Sequence, residues 1–99
     1  MQLYAIRRRN AWASADELKA TAERSAQEGD KDGSGVRWIR SYVVSEDDGT
    51  LGTVCIYEAD SPETIRTHAS RVDMPADEIT VVADTVVVRP DPVAAEAQA

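Results

Sequence analysis

The residues best suited to chemistry lie within one short stretch of the chain, from Cys55 to His68. Cys55 is the only cysteine and His68 the only histidine, and Glu58 and Glu63 lie between them. Imidazole, thiolate and carboxylate groups are the side chains that bind divalent transition metals. We therefore interpret His68 as the anchor of a candidate metal site, with Cys55, Glu58 and Glu63 as further candidate ligands.

Both His68 and Cys55 also have simpler interpretations. A single histidine without a partner motif is more often a boundary residue that makes one hydrogen bond, and one imidazole does not hold a metal ion tightly. A lone cysteine between Val54 and Ile56 is typical of a buried structural residue. A catalytic thiolate would need a cationic neighbour to lower its pKa, and His68 is the only histidine that could provide it.

Three aromatic residues indicate a second kind of candidate site, a groove for a small molecule. Trp38 and Tyr42 lie on one predicted strand and Tyr57 lies on the next. Aromatic residues on strands more often belong to a core or an interface. In the functional interpretation, these three residues line a groove between sheet and helices, with His68 as acid or base.

The elements that hold these residues follow from hydrophobic patterns and cap signals. Apolar β-prone runs predict four strands, at residues 3–7, 36–45, 51–58 and 79–88. Capping residues predict two helices: residues 15–28 after Ser14, and a second helix that starts at Pro62 after Ser61 and ends near Met74. Residues 8–12 are expected to form a connector.

The order β-α-β-β-α-β predicts an α+β fold, the ferredoxin-like sandwich. We expect a four-stranded antiparallel sheet with two helices on one face in residues 1–89, and a disordered tail in residues 90–99. The predicted strands carry apolar side chains on both faces, and two short helices cover only one face. Because soluble monomers rarely expose large apolar patches, we expect a two-fold symmetric dimer formed through the sheet.

Composition narrows the classes of partner. The chain has 99 residues, enough for one domain, and its formal net charge is -7. An acidic protein is a poor ligand for nucleic acid, so no nucleic-acid partner is expected. The basic run Arg7–Arg9 is interpreted as a solvated strand end that faces acidic neighbours, with an anion or partner contact as the alternative. The sequence has no signal peptide and no membrane-span pattern, which predicts a cytoplasmic protein without a membrane partner.

The sequence also resembles a known family, the small DUF4242 proteins of actinomycetes, which bind nickel. The matching segments are residues 1–4, 36–42, 55–59, 61–63, 65–66, 68–69, 75–76 and position 79. His68 matches the helix histidine of the family, and Cys55 with Tyr57 and Glu58 matches its strand motif. The chain departs from the family in its polar insert at 30–35, its longer hairpin at 47–52, its tail after Arg89, and its lack of a second histidine.

The resemblance implies a ferredoxin-like homodimer with nickel at the dimer surface, and a role in nickel sequestration or tolerance rather than catalysis. The alternative is a dimeric α/β-barrel-type protein that binds or converts a small molecule in the groove near His68. A third interpretation is an oligomerising domain without a ligand of its own. A cavity of ~300 Å³ or more beside His68 would favour the groove, whereas a filled groove with His68 at the surface would favour metal binding.

Overall fold

The computed structural model describes residues 1–31, 33–76 and 78–92 and has the predicted order of elements. The strands are β1 (Gln2–Trp12), β2 (Val36–Ser45), β3 (Leu51–Ala59) and β4 (Glu78–Val81). The helices are α1 (Ala15–Gly29) and α2 (Pro62–Arg71). Most of the predicted disordered tail, residues 93–99, lies outside the described residues. None of the helices in the described part of the chain is long and apolar enough to span a membrane.

The four strands form one antiparallel sheet in the order β2-β3-β1-β4. We call the face that carries Tyr4, Ile6 and Tyr57 the inner face, because these side chains are buried with Ile65 of α2. Helix α1 lies on the same face, since its Ser25 is hydrogen-bonded to Tyr57. The α+β ferredoxin-like fold predicted from the sequence is confirmed.

Both helices begin at the predicted caps. The Ser14 hydroxyl accepts a hydrogen bond from the backbone N–H of Glu17, and the Ser61 hydroxyl accepts one from Thr64. Pro62 occupies the start of α2, where its missing N–H needs no partner. The predicted core stripe of the second helix is also confirmed: Ile65, Ala69 and Val72 are all buried.

The prediction for the first strand is wrong at its end. β1 does not stop at Arg7; it continues through the predicted connector to Trp12, with an irregularity in its pairing to β3 between Arg8 and Trp12. The reason is tertiary: Arg8 and Trp12 are buried, and the Trp12 indole N–H donates to the Thr21 hydroxyl of α1 at 3.0 Å. Pairing with β3 and packing under α1 therefore override the charged local sequence.

The prediction for the last strand is wrong in its length. β4 covers only Glu78–Val81, not residues 79–88. Its sole partner, β1, begins at Gln2, and the last backbone hydrogen bond runs from the Val82 N–H to the Leu3 carbonyl at 3.0 Å. A strand cannot extend beyond its partner, so the valine-rich segment leaves the sheet.

That segment, residues 84–91, then crosses the outer face of the sheet, the face that carries Leu3, Tyr42 and Ile56. The Tyr42 hydroxyl donates a 2.7 Å hydrogen bond to the Asp91 carboxylate, and Arg40 lies 3.3 Å from the same carboxylate. The segment and the outer face enclose a cavity of about 980 Å³. The chain therefore partly covers its own second face.

Candidate functional site

His68 is buried in a hydrogen-bonded trio beneath α1. Its side chain is only 3% exposed, and its Nε2 atom lies 3.0 Å from the Ser25 hydroxyl oxygen. The same oxygen lies 2.9 Å from the Tyr57 hydroxyl, and the rings of Tyr57 and His68 are 5.8 Å apart. His68 reaches this position because it follows Ile65 by one helical turn and so lies beside the buried stripe of α2.

The trio is electrically neutral near pH 7. Burial lowers the pKa of His68, and the positive charge of Arg8 lowers it further. Burial raises the pKa of Tyr57, although the hydrogen bond from Ser25 and the charge of Arg8 act in the opposite direction. A neutral imidazole and a protonated phenol therefore share one serine hydroxyl, which can donate to one partner and accept from the other.

The structure separates the four candidate metal ligands. The Cys55 thiol accepts a hydrogen bond from Ser41 and donates one to Thr53 on the inner face. Among the described residues, no three His, Cys, Asp or Glu side chains are grouped so that they could hold a metal ion.

The two candidate carboxylates have arginine partners at the surface. Glu58 lies on the outer face and forms an ion pair with Arg37, with 2.9 Å between the charged atoms. Glu63 lies in the first turn of α2, exposed, and its carboxylate is 3.3 Å from the guanidinium of Arg66. Neither carboxylate is therefore beside the buried imidazole.

A cavity of about 520 Å³ lies between α1 and the inner face of the sheet. Helix α1 turns small side chains toward the sheet here, including Ala15, Thr21 and Ala22, and this leaves space that larger residues would fill. The walls are mainly apolar and include Trp12, Leu18, Trp38, Val43 and Met74. Ser25 and Tyr57 also line the cavity, so the trio that holds His68 forms part of its wall.

Two of the three candidate groove residues belong to this cavity. Trp38 and Tyr57 line it, with their rings stacked at 6.1 Å and 12°. Tyr42 lies on the outer face instead, because a bulge between Trp38 and Arg40 shifts the alternation of β2 by one residue. The sequence alternation alone places Tyr42 and Trp38 on the same side, and the bulge is what separates them.

Arg8 is a site residue that the sequence interpretation missed. Its two neighbours behave as predicted for a solvated run: Arg7 pairs with Glu46 at 2.8 Å and Arg9 pairs with Glu78 at 2.7 Å. Arg8, by contrast, is 0% exposed and lines the cavity.

The guanidinium of Arg8 is only partly satisfied. Its Nε donates to the Pro75 carbonyl at 2.6 Å, and its carbon lies 5.8 Å from the centre of the Tyr57 ring. Neither Nη1 nor Nη2 has a hydrogen-bond partner in the described part of the chain. The signal that could have found Arg8 is strand alternation, which places it on the same face as Tyr4 and Ile6.

Comparison with known proteins connects the chain to a family. Residues 4–82 match the profile of the family described as "Nickel responsive protein SCO4226-like". The chain belongs to this family. The resemblance to a nickel-associated family is thereby confirmed at this level, whereas the narrower label DUF4242 stays a prediction. None of the curated proteins compared with the chain matches it.

A solved structure shows the same fold. The crystal structure of SCO4226 from Streptomyces coelicolor A3(2) matches with a TM-score of 0.66 at 21% sequence identity. The match covers 85% of this chain and 99% of the other. At this level of identity, the likeness supports the fold of the SCO4226-like chain described here and carries no residue roles.

Proposed function

We propose that this protein binds nickel as a cytoplasmic homodimer and acts in nickel sequestration or tolerance rather than in catalysis. The observation that carries the proposal is the family match over residues 4–82, whose description is nickel responsive. The formal net charge of -7 adds a negative potential around the protein, which favours cations over anions at its surface.

Exposed apolar side chains support the homodimer. Val86 and Val88 are 84% and 81% exposed on the segment that crosses the outer face, and Ile39 is exposed on the edge strand β2. Soluble monomers rarely expose contiguous apolar surface of this kind. A second copy that packs on the outer side of the sheet would bury these residues, and the two copies would be related by a two-fold axis.

The proposed nickel site keeps His68 as its anchor, and because the imidazole is buried beneath α1 on the face opposite the proposed dimer surface, its other ligands must come from the same chain. The lowered pKa of His68 favours the neutral imidazole, which is the form that binds metal. The Nε2 atom already has a partner in Ser25, and the described residues of one chain provide no three-ligand group. Nickel prefers several nitrogen, oxygen or sulfur donors, so the imidazole needs further ligands, for which Cys55, Glu58 and Glu63 are the candidates, and their side chains would have to move to reach it.

Calorimetric titration tests this proposal. The tag-free protein at about pH 7.5 is titrated with nickel, copper and zinc, together with His68→Ala and Ser25→Ala. We expect nickel binding in the micromolar range or tighter that is lost in His68→Ala but retained in Ser25→Ala, which keeps the imidazole and removes only its hydrogen bond. Binding that is indifferent to His68 would refute the site, and absence of nickel binding would refute the function.

The cavity supports a second candidate function, the binding of a small molecule. Its volume of about 520 Å³ exceeds the threshold of ~300 Å³ expected for a ligand site, and its apolar walls with few polar groups are typical of such sites. A pair of variants on α1 tests it. Ala22→Leu should fill the cavity and abolish binding of phenylacetamide, whereas Ala20→Leu on the exposed side of the helix should not. Equal binding to both variants would exclude the cavity.

A further inference from the structure

We infer that the cavity beneath α1 is a site for a small apolar carboxylate, which the guanidinium of Arg8 holds. This inference rests on the second candidate function and specifies the class of ligand. Its starting point is that Arg8 is fully buried while both of its terminal nitrogens lack partners among the described residues. A buried, unpaired guanidinium is costly, because a charge removed from water needs an opposite charge or hydrogen bonds to replace its hydration.

Within residues 1–31, 33–76 and 78–92, no carboxylate is bonded to the terminal nitrogens of Arg8. The face of the Tyr57 ring gives a weak cation–π contact, and the Pro75 carbonyl occupies only the Nε donor. None of the described residues that line the cavity is an aspartate or a glutamate. The charged ones are all cations, namely Arg8, Lys19 and Arg40.

This local excess of cations contrasts with the whole chain, which has 18 acidic and 11 basic residues. Arg40 has a carboxylate partner in Asp91, outside the cavity lining. Lys19 is exposed to solvent, so Arg8 is the buried positive charge beside this cavity. Such an arrangement favours an anion as occupant.

The walls indicate what the rest of the ligand must be. The two unpaired nitrogens of Arg8 form a planar fork, which matches the two oxygens of a carboxylate; both atoms are buried, so a ligand would reach them after a shift of the side chains that separate them from the cavity. Trp12, Trp38 and Leu18 provide flat and apolar surface around the remaining volume. A phosphate group would bring up to two negative charges and more oxygens than one buried arginine can satisfy, so a carboxylate on an aromatic or aliphatic body fits better.

A matched pair of ligands tests the inference. Phenylacetate carries the carboxylate, and phenylacetamide has nearly the same shape without the charge. By calorimetry, the wild-type protein should bind phenylacetate roughly tenfold to a hundredfold more tightly than phenylacetamide, as expected for charge-assisted hydrogen bonds. Arg8→Met should abolish this preference while phenylacetamide still binds, and the exposed neighbour variant Arg9→Met should retain it.

The outcomes distinguish the role of Arg8 from the more general proposal that the cavity binds a small molecule. Equal affinity of the wild type for the two ligands, or a preference that survives Arg8→Met, would overturn the role of Arg8 and leave the cavity as a neutral site. Binding of neither ligand would overturn the cavity function as well. If Arg8→Met does not fold, Arg8→Lys decides: a retained charge without the planar fork should reduce the preference, and an unchanged preference would refute the bidentate contact.

Discussion

The two sides of the sheet each carry an exception to the usual distribution of polarity. Under the helices, the buried set includes charged and polar side chains such as Arg8, Ser25 and His68. On the other side, the segment at residues 84–91 exposes Val86 and Val88 to solvent. Polar groups inside and apolar groups outside are both unfavourable in an isolated chain. The two proposals account for this contrast: a small ligand would cover polar groups of the inner face, and a second copy would cover apolar groups of the outer side.

The largest loss of stability is expected from removing the Ser25 hydroxyl, which links Tyr57 and His68 on the inner face. Ser25→Ala leaves Tyr57 and His68 without their shared partner inside the protein, so the free energy of unfolding should fall by about 2–4 kcal/mol. Urea denaturation measures the change. Ser70→Ala, the same substitution at an exposed position of α2, is the control and should change it by less than about 0.5 kcal/mol. An equally small effect of Ser25→Ala would show that the trio does not stabilise the inner face.

The second prediction concerns the stability of the proposed dimer, which charges on the outer side of the sheet should weaken. Val86→Asp together with Val88→Asp places two charges in the proposed dimer surface, so the dissociation constant should rise roughly a hundredfold or more. Light scattering coupled to size exclusion should then show a mass that falls from two chains to one. Thr67→Asp, at an exposed position of α2, is the control and should leave the mass unchanged. A wild-type protein that is monomeric at high concentration would contradict the dimer.

A smaller change in the free energy of unfolding is expected when the pH is lowered, because His68 then takes up a proton. Because burial lowers its pKa, the unfolded chain binds this proton more readily than the folded chain. The contribution of His68 to stability is therefore complete above about pH 6.5, and it is lost as the pH falls from there through the lowered folded pKa. One proton gives a slope of at most about 1.4 kcal/mol per pH unit.

Unfolding free energies measured at about pH 7.5 and pH 5.5 test this slope in the wild type and in His68→Asn. The pKa values of Glu46 and Asp48 are lowered by hydrogen bonds, and these carboxylates titrate below this pH range. The slope in this range should therefore be smaller in the variant. An identical slope in both proteins would assign the pH dependence to other groups.

The smallest effect concerns the contact that holds the outer segment. Tyr42→Phe removes the hydrogen bond to Asp91, which is exposed, so stability should fall by less than about 1 kcal/mol. Amide hydrogen exchange in residues 84–91 should nevertheless become faster, because this local contact is lost. Glu63→Gln, which breaks an exposed ion pair elsewhere, should leave that exchange unchanged. Unaltered exchange in Tyr42→Phe would show that other contacts hold the segment.

Local signals were sufficient for most of the fold. Ser14 and Ser61 predict the starts of both helices, and the strands predicted at 36–45 and 51–58 from their β-prone residues are observed at 36–45 and 51–59. The ends of the outer strands could not be predicted in the same way, because they depend on partners. β1 continues to Trp12 because it packs against β3 and α1, and β4 cannot extend to residue 88 because β1 begins at Gln2, only two residues beyond the Tyr4–Val81 pair.

The candidate site was less predictable, because closeness in sequence does not place side chains on one face. Cys55 and Tyr57 share the inner face, whereas Glu58 must point to the other side by strand alternation. His68 could be assigned to the buried side of α2, but its contact with Ser25 depends on how α1 packs. Strand alternation places Arg8 on the inner face, but its complete burial depends on tertiary contacts such as that with Pro75.

The bulge in β2 has a further consequence for how such a chain can change over evolutionary time. One additional residue, at Ile39, is enough to distribute the aromatic side chains of a single strand between two surfaces. Because β2 is an edge strand, no neighbour on its open side must accommodate the insertion. A lineage can therefore acquire or lose a second recognition surface through a one-codon insertion or deletion, while the rest of the domain is inherited unchanged.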